Sequence, residues 1–159
     1  ATTIGTAGGA EKCALAKANG FDHVIDYTST DFEAEVMRLT NGEGVTVAYD
    51  SVGNDTMART ITSTKRRGTI IAFGQSSGPY ADFKITDLSK GSYYLSRPTL
   101  FHFVGDRSWL DVASAKLFKA VTDGTINVSI NQRFVLEDVA KAHDALTGRA
   151  TTGCTILTV

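Results

Sequence analysis

Short β-branched runs alternate with helix-patterned stretches from the start of the chain to Leu95, which restricts the fold to a parallel sheet with helices on its faces. The predicted strands are Thr2–Thr6, His23–Asp26, Val45–Asp50, Thr69–Phe73 and Ser92–Leu95. The second predicted helix takes Ser29 or Thr30 as its N-cap, turns Phe32, Val36 and Leu39 to one face and stops at Asn41-Gly42. The third begins at Asn54 or Asp55, faces Met57 and Ile61 inward and ends in the basic turn Lys65–Arg67 before Gly68, where the helix dipole favours cations. After Ser96-Arg97-Pro98 the pattern changes. A helix over Ser108–Thr122 is followed by Gly124, a strand INVSI (Ile126–Ile130), a helix LEDVAKAHDAL (Leu136–Leu146) and a terminal strand CTILTV (Cys154–Val159). Those two strands flank a helix without a clear βαβ partner, so this tail is expected to belong to a second substructure.

Length and composition remove several classes of function. At 159 residues the chain can build one domain with a real core, and 42% hydrophobic with 21% charged residues is ordinary for a soluble globular protein. A net charge of -1, with no basic cluster longer than Lys65–Arg67, offers no field for nucleic acid or an anionic membrane. No apolar run is long enough for a transmembrane helix. The chain opens at Ala1 without a charged n-region, so no signal peptide is read; with no starting Met, a fragment or a processed form is expected. Cys13, Cys154, His23, His102 and His143 stand apart from one another, which disfavours a zinc site and fits reduced thiols in a cytoplasmic protein.

The candidate site gathers at strand ends. TAGGAEK, Thr6–Lys12, has the strand, Gly-rich turn, helix order that dinucleotide folds use for anions, although its glycines do not match G-x-G-x-x-G. Lys12 falls in the first turn of a helix, where a cation opposes the dipole; an anion bound there would reverse the sign, and a solvated surface lysine is the plain alternative. Tyr27 ends the next strand, where it either offers its hydroxyl to a ligand beside Lys12 or covers the sheet edge. DSVGND (Asp50–Asp55) and FGQSSG (Phe73–Gly78) end two further strands and are either plain turns or a lining for a flat ligand. All four features fall on one side of the predicted sheet, the crevice at the carboxyl ends of its strands. No nucleophile elbow, carboxylate pair or metal motif accompanies them, a pattern that suits cofactor chemistry.

The succession IGTAGGAEK, HVIDY, VAYDSVG, GTIIAFGQSSG, SYYLSRPTL and GRATTG resembles the NADPH-dependent quinone oxidoreductases of the zinc-free medium-chain dehydrogenase superfamily, the zeta-crystallin type, across nearly the whole chain. SRPTL and FGQSSG are the specific parts of this likeness. It implies a Rossmann-type doubly wound α/β sheet that here lacks its first strand, followed by carboxy-terminal segments of the barrel-type catalytic domain. It further implies that Gly8, Lys12 and Tyr27 hold the 2′-phosphate of NADPH, that Ser51, Val52 and Gly53 border the adenosine, and that Phe73, Gly74 and Ser76 lie along the nicotinamide half. By the same likeness Arg97 points toward the nicotinamide and a small quinone or enone substrate, unless it is a surface ion-pair residue, and Thr152-Gly153 closes the site from the tail. No metal is implied.

In the strand order 3-2-1-4-5-6 the missing strand is central, so strands two and four are expected to face a gap, and the chain alone is not expected to be a competent reductase. The family likeness also implies a homodimer across the last strand, Ser92–Arg97. Two other readings are a non-catalytic dinucleotide-binding or interaction module, and a different nucleotide-binding enzyme such as a methyltransferase. The second would favour an acid after the first strand present here, where Gly5-Thr6 stands instead.

Overall fold

The computed structural model describes residues 1–148 and 150–159, so Arg149 of the GRATTG stretch lies outside the described residues. These form two compact units, Ala1–Thr99 and Leu100–Val159. The first carries β1 (Ile4–Ala7), α1 (Ala10–Ala18), β2 (His23–Asp26), α2 (Phe32–Leu39), β3 (Val45–Asp50), α3 (Met57–Thr62), β4 (Thr64–Ala72), a 3-10 turn at Ile85–Lys90 and β5 (Tyr94–Ser96). Every ladder is parallel. β1 pairs with β2, and β3-β4-β5 form a second sheet. The expected gap is therefore present as a break between β1 and β3.

Two apolar clusters hold this unit. Ile25, Phe32 and Val36 are buried between β2 and α2, with Ile4, Leu39 and Val45 packed against them. Val45 belongs to β3, so this cluster reaches across the break. Met57 and Ile61 of α3 bury against Ile70 and Ala72 of β4, with Tyr80, Phe83, Tyr93 and Leu95 around them. The clusters are joined where the Arg59 guanidinium stacks 4.4 Å from the Phe32 ring centroid, a cation–π contact. Only one face of the β3-β4-β5 sheet is covered in this way: Val47, Tyr49 and Tyr94, on the other, remain exposed.

Several boundaries differ from expectation for identifiable reasons. β1 begins at Ile4 and runs to Ala7 rather than ending at Thr6. The N-cap of α2 is Asp31, whose carboxylate accepts the Glu33 N–H at 3.0 Å, while Ser29 and Thr30 belong to the preceding turn, their amides bound to the Asp26 carbonyl. α3 starts only at Met57. The Asn54 N–H is given to the Gly78 carbonyl and the Asp55 N–H to the Ser77 hydroxyl, so both residues belong to the loop. Lys65–Arg67 do not close that helix. They lie inside β4, in a bulge between the pairs Val45↔Thr64 and Val47↔Thr69, where Arg67 takes φ 61°. Ser92 has φ 52° and cannot extend β5.

The second unit contains α4 (Phe101–Val104), α5 (Arg107–Thr122), β6 (Ile130–Val135), a 3-10 turn at Leu136–Asp138, α6 (Val139–Thr147) and β7 (Cys154–Thr158). The strand expected at Ile126–Ile130 lies instead at Ile130–Val135. Ile126 donates its N–H to the Ala120 carbonyl, finishing α5 rather than starting a ladder. β6 and β7 are parallel partners around α6, so the tail is itself a βαβ unit, against the expectation of no such partner.

Asp106 caps α5. Its Oδ1 accepts the Ser108 hydroxyl at 2.7 Å and the Ser108 and Trp109 amides at 2.9 and 3.3 Å. These bonds, the hydroxyl first, hold its carboxyl below the usual carboxylate range. A lowered folded-state pKa means that the cap is fully present above the ordinary value and is lost as pH falls through the folded one. Protection of the Ser108 and Trp109 amides from exchange, relative to their intrinsic rates, is expected to persist at neutral pH and to fall only below about pH 4, the ordinary carboxylate range. Unchanged protection from neutral pH to about pH 2 would show that this cap does not hold the helix.

Candidate nucleotide site

The carboxyl ends of β1 and β2 are laced together. The ladder pairs Ala7 with Asp26, and the Tyr27 N–H continues it to the Ala7 carbonyl at 3.1 Å. Just beyond, the chain turns at Gly9 with φ 89°, a conformation that favours glycine, and enters α1. Asp26 Oδ1 accepts the Gly9 N–H at 3.0 Å from across the ladder. It also takes the Thr28 N–H at 3.0 Å and the Thr28 hydroxyl at 2.6 Å. The Thr28 hydroxyl first, then the Gly9 and Thr28 amides, keep the Asp26 carboxyl below its ordinary range, so it is ionised at neutral pH.

This lacing brings Gly8 against Tyr27. A Cβ at Gly8 would lie 2.8 Å from the Tyr27 hydroxyl oxygen and 3.1 Å from the ring carbon bearing it. Gly8 thus leaves room for the phenol to lie across the turn, with the ring partly exposed and Lys12 in the first turn of α1. Cys13, one residue on, points back at the Ala7 carbonyl, 3.8 Å from Sγ. Burial, with the Asp26 charge, pushes its thiol up in pKa, so it is no activated nucleophile.

A second constellation forms where β3 and β4 end. Asp50 is buried, and its carboxylate accepts four hydrogen bonds: Oδ1 from the Val52 and Gly53 amides, both at 2.9 Å, and Oδ2 from the Thr56 and Thr60 hydroxyls at 2.8 and 2.7 Å. The DSVG loop is thereby wound around one carboxylate. It is also zipped to the FGQSSG loop: the Ser76 and Ser77 amides donate to the Ser51 and Val52 carbonyls, and the Ser77 hydroxyl donates to the Val52 carbonyl. A Cβ at Gly74 would lie 2.5 Å from the Ser51 carbonyl oxygen, and one at Gly53 2.5 Å from the Gly78 carbonyl oxygen. The glycines are therefore required by the approach of one loop backbone to the other. Phe73 stands exposed at the rim.

Gly8 and Tyr27 are thus in contact, and Ser51, Val52 and Gly53 share a zipped pair of loops with Phe73, Gly74 and Ser76. Arg97 lies exposed just past β5, its Nη1 donating to the Pro98 carbonyl at 3.2 Å. Thr152 and Gly153 stand in the second unit, where the Asn131 amide donates to the Thr152 hydroxyl at 3.0 Å and Gly153 takes φ 61°. The structure adds Asp26, Asp50 and Ser77 to the residues that shape the loops. An aspartate at the end of a strand, with an amide donor two residues on, was a legible sign for the first two. Among the described residues no group of three or more His, Cys, Asp or Glu side chains is placed to hold a metal ion, and no helix is long and apolar enough to cross a membrane.

Comparison with known proteins decides the family, since the model for zinc-binding dehydrogenases matches residues 19–157. The chain belongs to that family. Among its relatives are a quinone oxidoreductase of Pseudomonas aeruginosa, 39% identical over 97% of this chain, and a 2-haloacrylate reductase of a Burkholderia species, 38% identical over 99%. The chain spans 48% of the length of each. The crystal structure of Escherichia coli quinone oxidoreductase complexed with NADPH superposes with a TM-score of 0.93 at 37% identity, covering 98% of this chain and 49% of that one. The α/β arrangement is accordingly the Rossmann-like one of these dehydrogenases, and the resemblance read from the motifs holds: the chain corresponds to their carboxy-terminal portion.

Proposed function

We propose that this chain is the NADPH-binding part of an oxidoreductase that transfers hydride from NADPH to a quinone or α,β-unsaturated ketone. The observation that carries the reading is the pocket wall at the carboxyl ends of β1 and β2, where the Tyr27 hydroxyl lies on Gly8 beside the helix turn bearing Lys12. A phenol donor and an ammonium suit a phosphate monoester, and the absence of a side chain at Gly8 lets the phenol lie across the turn. The relatives' quinone oxidoreductase and reductase names, and the NADPH in the Escherichia coli structure, support the same cofactor and substrate class. When bound, NADPH supplies the hydride. The protein's part is to hold and orient it: Gly8, Lys12 and Tyr27 at the 2′-phosphate, Ser51, Val52 and Gly53 at the adenosine, and Phe73, Gly74 and Ser76 along the nicotinamide half. Arg97, exposed and cationic, is assigned to stabilise negative charge developing on the substrate oxygen. We further assign nucleotide binding to residues 1–126, the carboxy-terminal part of the catalytic domain to 127–159, a cytoplasmic location, and a homodimer formed through the edge at Ser92–Arg97.

The reading is tested by the thermal stabilisation of the chain by 2′,5′-ADP against that by 5′-AMP. A charge-assisted contact of about 1.5 kcal/mol predicts roughly tenfold tighter binding of 2′,5′-ADP, and a correspondingly larger stabilisation at equal concentration. Lys12→Ala is expected to abolish most of that difference while leaving 5′-AMP unaffected. Equal stabilisation by the two ligands would overturn the assignment.

A further inference from the structure

The carboxylate nearest the pocket has the wrong sign for a phosphate site, yet it is built in with care. Asp26 stands at the end of β2, immediately before Tyr27, and its Oδ1 takes donors from both turns: the Gly9 N–H from the turn after β1, and the Thr28 N–H and hydroxyl from the turn after β2. Gly9 is the N-cap of α1 and has no side chain to cap that helix. The Asp26 carboxylate therefore occupies one of the amides that a helix N-terminus would otherwise offer to a bound phosphate. Lys12, in the first turn of α1, and Tyr27, lying on Gly8, are the side chains assigned to a ligand phosphate beside that amide. The distance between Gly8 and the Tyr27 hydroxyl is in turn set by how closely the two turns are drawn together, and the Asp26–Gly9 bond, with the strand ladder, is a link that spans them beside the pocket.

We propose that Asp26 is the positioning residue of the 2′-phosphate pocket, holding the turn after β1 against the turn after β2 so that Gly8, Lys12 and Tyr27 present one surface. The proposal rests on the cofactor reading above and goes beyond it by naming what organises the pocket. Two properties of Asp26 act in opposite directions. As an acceptor it fixes the geometry; as an anion it repels the phosphate that the geometry serves. Its three donors blunt the second property without removing it.

The two properties separate by substitution. Asp26→Asn keeps an Oδ1 that accepts from Gly9 and Thr28 but removes the charge, whereas Asp26→Ala removes both. The preference for 2′,5′-ADP over 5′-AMP is measured for the unmodified chain and both variants by thermal shift and titration, with amide exchange at Gly9 and Thr28 measured in the absence of ligand. The expected result is that Asp26→Asn retains the preference or raises it by a few-fold, with slow exchange, as loss of a like charge requires. Asp26→Ala is expected to lose most of a roughly tenfold preference and to expose both amides to rapid exchange. A residue that only stabilised the fold would lower affinity for both ligands in parallel. The proposal is overturned if the unmodified chain prefers 2′,5′-ADP and Asp26→Ala keeps both that preference and slow exchange at Gly9, or if Asp26→Asn behaves like Asp26→Ala. Absence of the preference in the unmodified chain sinks the cofactor reading itself, and this proposal with it, so the two failures are told apart by the unmodified chain.

Discussion

Replacing Asp50 with alanine is expected to destabilise the chain by about 3 kcal/mol, because it strands donors that have no route to water. Asp50 and Thr60 are buried, and the Gly53 amide, at 2.9 Å from Oδ1, lies inside the loop. Alanine leaves the Val52 and Gly53 amides without their acceptor and empties the space between α3 and the end of β3. The Thr56 and Thr60 hydroxyls can turn toward backbone carbonyls of α3, so the larger part of the cost falls on the amides. Asp50→Asn should cost much less, since its oxygen still serves both amides and its amide group can donate to the hydroxyls. Urea unfolding would show the difference as a lowered midpoint at unchanged slope. A midpoint for Asp50→Ala within error of the unmodified chain would mean that the carboxylate does not hold the loop.

The second large effect is expected at Gly53, and the chain contains its own control. Gly53 and Gly9 both take φ 89°, so alanine at either position incurs backbone strain of about 1–3 kcal/mol. At Gly9 a Cβ meets nothing within 4 Å. At Gly53 it would sit 2.5 Å from the Gly78 carbonyl oxygen and 3.1 Å from the Gln75 Cα, both backbone atoms of the opposing loop. Gly53→Ala must therefore push the FGQSSG loop away, and a further 1–3 kcal/mol, roughly the cost of overpacking a tight site, is expected beyond that of Gly9→Ala. Comparing the two variants by denaturation isolates this steric part. Equal losses would show that the two loops are not in contact in solution.

The legible part of the fold is the part decided within a few residues. β2 and β3 have the bounds that their β-branched runs predict, and Phe32, Val36, Met57 and Ile61 are buried as their helical spacing requires. Two of the misplaced boundaries have a deciding partner that is distant in sequence. Nothing near Asn54 announces that its amide is given to Gly78. Lys65–Arg67 read as a helix end because a bulge depends on the register of β3 against β4, which spacing along one segment does not encode. The candidate site divides in the same way. That TAGGAEK, Tyr27, DSVG and FGQSSG lie at strand ends was legible from alternation alone. That Gly8 touches Tyr27, while Gly74 touches Ser51, was not, because each contact joins residues far apart along the chain.

Each strand in this chain hydrogen-bonds to its neighbour in sequence: β1 with β2, β3 with β4, β4 with β5, and β6 with β7. Among the described residues, no ladder joins strands that are remote in the order of the chain. During synthesis, β1-α1-β2 can close as soon as β2 has left the ribosome, and the β3-β4-β5 sheet can grow one strand at a time behind it, so assembly proceeds in the direction of translation.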